Sequence, residues 1–104
     1  SAASTLKVEI QQPKVAKVGK NDLRLTVRDA SGNPVTDAEV EVMLFMPQMG
    51  NMAPRSAKAN LSHAGNGEYK GSIDIPIAWT WQTTITVKKA GKTLGSVQTN
   101  LTAR

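Results

Sequence analysis

At 104 residues the chain has room for one domain with a modest core, and no apolar run approaches the ~20 residues of a membrane-spanning helix. Its net charge of +5 would suit nucleic acid, but Lys7, Arg24, Arg28, Lys58 and Lys70 alternate with apolar residues and mix with Glu9, Glu39, Glu41, Glu68 and Asp74, with no aromatics interleaved, which is the pattern of a solvated surface. The absence of cysteine excludes disulfides and thiolate metal sites.

The opening SAAST has neither a basic start nor an apolar segment, so it does not read as a signal peptide, and any targeting sequence is expected to have been trimmed or to lie upstream. Period-two alternation then recurs along the chain, with no competing helical period. Leu6, Val8 and Ile10 form the first inward row. The segment PKVAKVGK follows, a basic loop with Lys14, Lys17 and Lys20. Leu23, Leu25 and Val27 make the second row, and the turn signal DASGNP closes it. Ala38, Val40, Val42, Leu44 and Met46 make the longest row. Ala57, Ala59 and Leu61 come next, then, after HAGNG, Tyr69, Gly71, Ile73 and Ile75. Trp81, Thr83, Ile85 and Val87 precede KKAGK, and Val97, Thr99 and Leu101 end the series. Seven short strands punctuated in this way predict an all-β fold, a seven-stranded immunoglobulin-like β-sandwich occupying residues 1–104 as one domain.

All four methionines fall in ten residues, at Met43, Met46, Met49 and Met52. Parity separates them. Met46 ends an inward row and is expected in the core. Met43 and Phe45 have the opposite parity and point outward beside Glu39 and Glu41, an unexpected apolar pair for a face that is merely solvated. Met49 and Met52 lie beyond Pro47 in the connection to the fourth strand. If consecutive strands alternate in direction, that connection shares one end of the sandwich with Trp79 of IPIAWTW. His63 then belongs at the other end, about 20 Å away, as an exposed turn residue. Trp81 has inward parity and is expected as the core tryptophan.

Thioether sulfur is a soft, neutral ligand suited to Cu(I) or Ag(I) and poor for Zn²⁺, Mg²⁺ or Cu(II). Met46, Met49 and Met52, with Pro47 and Gly50 bending the chain, are therefore the candidate metal ligands, and Trp79 is a candidate cation–π neighbour. The competing account has Met46 filling the core, Met49 and Met52 folding back over the sandwich end, and Trp79 capping it. No catalytic reading arises, because one histidine and scattered acids supply neither a nucleophile–base pair nor a carboxylate dyad.

The stretches VRDASGNPVTDAEVEVMLFMPQMGNM and GNGEYKGSIDIPIAWTWQTTITV, roughly residues 20–90, resemble the YtkA-like/FixH-like family in their Gly-Asn-Pro turn, Met-Pro-x-Met-Gly strand end, Gly-x-Tyr strand and Trp-bearing strand. The resemblance implies an extracytoplasmic, periplasmic sandwich that is free or part of a longer adaptor. It also implies metal handling with other proteins of a heavy-metal efflux or copper-delivery system, with Met46, Met49 and Met52 at the matching positions. No nucleic acid and no direct insertion of this segment into a membrane are expected. Gln48 and Asn51 stand where many relatives carry histidine. The alternative is a protein–protein docking module of an efflux or membrane assembly, without metal, that uses the Met43/Phe45 patch and the methionine loop.

Overall fold

Residues 6–12, 15–48 and 50–104 are described by a computed structural model. Each alternating row becomes a strand: β1 (Lys7–Gln12), β2 (Gly19–Arg28), β3 (Glu39–Met46), β4 (Arg55–Gly65), β5 (Glu68–Ile75), β6 (Trp79–Lys89) and β7 (Lys92–Ala103). They pair antiparallel in the order β1-β2-β5-β4-β3-β6-β7. The inward rows meet largely as expected, except that Thr99 of the last row lies exposed. Leu25, Val27, Val40, Leu44, Met46, Tyr69, Ile75, Trp81, Ile85 and Val87 are all essentially inaccessible.

The two layers are not independent sheets. From Arg55 to Leu61, β4 pairs with β3, and from Ser62 to Gly65 it pairs with β5, so one long strand passes from one layer to the other. A second tie lies outside the strand ladder. The Ala16 N–H donates to the Thr102 carbonyl (2.9 Å), and the Arg104 N–H donates to the Ala16 carbonyl (2.9 Å), making a parallel bridge from the segment after β1 to the end of β7. The basic stretch read as a loop is thus partly built in. Ala16 is buried, Lys20 belongs to β2, and Lys14 lies outside the described residues.

The β4–β5 hairpin turns on Asn66 (φ 53°) and Gly67 (φ 79°), the left-handed pair that matches the twist of the flanking strands. Gly67 is doubly required, since a Cβ there would sit 2.8 Å from the Pro34 Cβ and 2.9 Å from the Val27 carbonyl oxygen. That close approach seats the β2–β3 connection on the hairpin. Tyr69 completes the seat: its hydroxyl donates to the Val35 carbonyl (2.8 Å) and accepts from the Ala38 N–H (3.1 Å), with the ring fully buried.

Tyr69→Phe would leave a buried N–H and a buried carbonyl without that partner, and a loss of about 1–3 kcal/mol in urea-monitored stability is expected. Burial pushes the Tyr69 hydroxyl above its ordinary pKa, against the lowering effect of the Ala38 hydrogen bond, and nearby Asp37 adds to the rise. A raised folded-state pKa means that this stability is complete below the unfolded value of about 10 and is lost as pH climbs through the folded value. Wild type should therefore show an alkaline loss of stability that Tyr69→Phe lacks.

Candidate functional site

Antiparallel pairing throughout collects the β1–β2, β3–β4 and β5–β6 connections and the end of β7 at one end of the molecule. The register makes this concrete: Gly19 stands opposite Ile75, Met46 opposite Arg55, Phe45 opposite Gln82, and Trp79 opposite Ala103. The methionine connection and Trp79 therefore share an end. His63 sits far along β4 toward the opposite end.

The four methionines separate as their parity requires. Met46 is wholly inaccessible in the core. Met43 is half-buried on the outer face between Lys58 and Thr84, and Phe45 lies exposed on the same face between Ser56 and Gln82. Met52 is 43% exposed. Met49 lies outside the described residues. The Met46 sulfur would have to leave the core to join a trigonal centre with the other two, so burial separates it from the exposed Met52.

The two tryptophans differ in a way that builds the end. Trp81 is fully buried, and its Nε1–H donates to the Ile77 carbonyl (3.2 Å), pinning the β5–β6 connection. Trp79 has the same parity but lies three residues beyond Gln82, the partner of Phe45, where the facing strand has ended. It is 38% exposed. Asn21 does comparable work in the neighbouring connection. Its Oδ1 accepts from the Lys17 N–H (3.0 Å), and its Nδ2 donates to the carbonyls of Lys17 (2.7 Å) and Gly19 (3.0 Å). Sequence reading passed over Asn21. The available signal was a polar residue in the inward parity of Leu23, Leu25 and Val27.

His63 is not the exposed turn residue expected. It is half-buried in β4, its Nε2 accepts from the Gly67 N–H (3.4 Å), its Nδ1 lies 3.6 Å from Asp37 Oδ1, and its ring centroid is 5.1 Å from that of Tyr69. These contacts make it part of the hairpin seat. Among the described residues no three His, Cys, Asp or Glu side chains converge on a common point. Any soft-ion site at the methionine end would thus rest on thioethers.

A family model described as YtkA-like matches residues 1–86. The chain belongs to the YtkA-like family. No curated protein matches the sequence. Among solved structures, this YtkA-like chain is similar to the S-layer protein SbsC in a structure of its domains 4 and 5 (TM-score 0.54, 19% identity, 96% of this chain and 53% of that one). It is also similar to FdeC, an Escherichia coli adhesin (TM-score 0.57, 26% identity, 100% of this chain and 32% of that one). The YtkA-like chain thus spans about half of the first structure and a third of the second, and the likeness is one of β-sandwich fold.

Proposed function

We propose that this YtkA-like domain is an extracytoplasmic binding module that holds a soft monovalent ion, Cu(I) or Ag(I), on the loop bearing Met49 and Met52. In this reading it passes the ion to or from other proteins of a heavy-metal efflux or copper-delivery system, acting by binding and not by catalysis. The observation that carries the reading is the exposure of Met52: a flexible apolar side chain left in solvent, on a connection that shares its end with an exposed tryptophan. A thioether in that position is a ligand for soft ions and for little else. Trp79 supplies an aromatic face at the same end for a monovalent cation. The surface-protein character of the S-layer and adhesin neighbours supports a place outside the cytoplasm. Met46 acts here as the anchor that fixes where the loop begins, and the ligand pair is Met49 with Met52.

Titration of the labelled, metal-free protein with Ag(I), the redox-stable stand-in for Cu(I), tests this. The Met49 and Met52 methyl resonances should shift most, the Trp79 indole should respond, and His63 at the far end should stay still. Zn²⁺ should have little effect. Changing both Met49 and Met52 to Leu keeps volume and removes sulfur. Affinity should then fall by about tenfold or more, a scale that even loss of an outer-shell partner can reach. If Ag(I) moves nothing in this loop, the metal reading fails and the docking-module reading takes its place.

A further inference from the structure

All five large apolar side chains that stand exposed among the described residues lie at one end of the molecule. Val15 and Val18 flank Ala16, which is bridged to Ala103, and Ala103 is paired with Trp79. Phe45 ends the outer row of β3, and Met52 follows in the β3–β4 connection. Their exposures run from 38% for Trp79 to 52% for Val15. Cations are collected at the same end, with Lys17, Lys20, Arg55 and Arg104 all exposed. The acids nearest are Asp74, opposite Lys20, and Asp22, two pairs further along β2. The connecting stretches 15–18, 50–54 and 76–78 contain no acid.

The other end is built differently. Its connections carry Asp29 and Asp37, the Asn66–Gly67 turn and the Ala90–Gly91 turn, and no exposed large apolar residue. The molecule is 44 Å long against 27 and 21 Å across, and its exposed large apolar side chains are confined to one tip, whereas the cations Arg28, Lys88, Lys89 and Lys92 at the other end are mixed with Asp29, Asp37, Glu39 and Glu68.

We propose that this tip docks onto the surface of an anionic phospholipid bilayer. Val15, Val18, Phe45, Met52 and Trp79 enter the boundary between headgroups and acyl chains, and Lys17, Lys20, Arg55 and Arg104 meet the lipid phosphates. No segment crosses the membrane. Among the described residues no helix is long and apolar enough to do so, and interfacial docking needs none. The cations that accompany the apolar tip, on connections without acids, point to an anionic occupant, and the mixture of Trp with Lys and Arg suits the bilayer interface. The shape favours lipid over protein. The apolar residues sit on two connections and two strand ends at one end of an elongated body, which a fluid surface can mould around, whereas a protein partner would need a matching concavity. Metal plays no part in this docking.

The test uses the metal-free full chain with vesicles of phosphatidylcholine alone or with about 30% phosphatidylglycerol, read by co-sedimentation and tryptophan emission. Trp81 is already fully buried, so a blue shift on docking reports Trp79. Binding should be at least about tenfold tighter to the anionic vesicles and weaken as salt rises to about 0.15 M. The pair Lys17→Glu and Arg55→Glu should abolish it. Lys88→Glu with Lys89→Glu makes the same charge change at the far end and should leave most of it. Val15→Ser with Trp79→Ser keeps the charge and should weaken it, with circular dichroism confirming that each variant folds. Equal binding to both vesicle types, or equal loss from both charge pairs, would overturn the proposal. So would tip-dependent self-association without vesicle binding, which would assign the tip to a second copy of the chain.

Discussion

Trp81→Ala is expected to be the most damaging single substitution in this chain, costing about 3–5 kcal/mol in denaturant-monitored stability. The side chain is wholly inaccessible, so its removal forfeits the transfer free energy of a large aromatic surface and opens a cavity that β-sheet neighbours, held by their ladders, can close only in part. It also frees the Ile77 carbonyl from its 3.2 Å hydrogen bond. Against a total stability of roughly 5–15 kcal/mol for an ordinary domain, such a loss leaves a substantial unfolded population. Trp81→Phe separates the two contributions, because it keeps much of the apolar volume and removes only the indole N–H. It should cost clearly less than the alanine variant, while raising hydrogen exchange in residues 76–79. An alanine variant as stable as wild type would mean that the central tryptophan is not packed as described.

The second large effect is a contrast between neighbours. Leu44→Ala should cost about 2–5 kcal/mol, and Met43→Ala clearly less, although the two are adjacent in β3. Leu44 is wholly buried between Ala57 and Thr83. Met43 lies half-buried on the outer face between Lys58 and Thr84, next to the Lys58–Glu41 ion pair at 3.1 Å. Truncating Met43 uncovers surface that is already partly wet, so little transfer free energy is lost and no enclosed cavity forms. Equal losses at both positions in chemical denaturation would show that both faces of this sheet are covered.

Strand phase was legible because side chains alternate with a period of two, so a row such as Val40, Val42, Leu44 and Met46 declares its face without reference to the rest of the chain. The same arithmetic placed Trp81 inside and Phe45 outside, and strand direction brought the methionine connection to the Trp79 end. His63 was misread because its burial depends on Tyr69, Asp37 and Gly67, contacts that exist only after the hairpin has folded against the β2–β3 connection. Asn21 was overlooked for a related reason. A polar residue in an inward row looks like an interruption until the carbonyls of Lys17 and Gly19 come within reach of its amide.

By itself the sequence determined the fold class, most of the inward rows of the seven strands and the family, since each rests on local periodicity or on contiguous motifs. Tertiary structure alone decided that β4 changes partner between Leu61 and Ser62, that Ala16 bridges to Ala103, and that Met52 is exposed. It also decided that exposed apolar side chains and cations from separate connections and strand ends meet at one tip. The physical reason is that these features join residues far apart in the chain. Their energies come from hydrogen bonds and burial between strands, whereas parity along a strand reports only which way each side chain points.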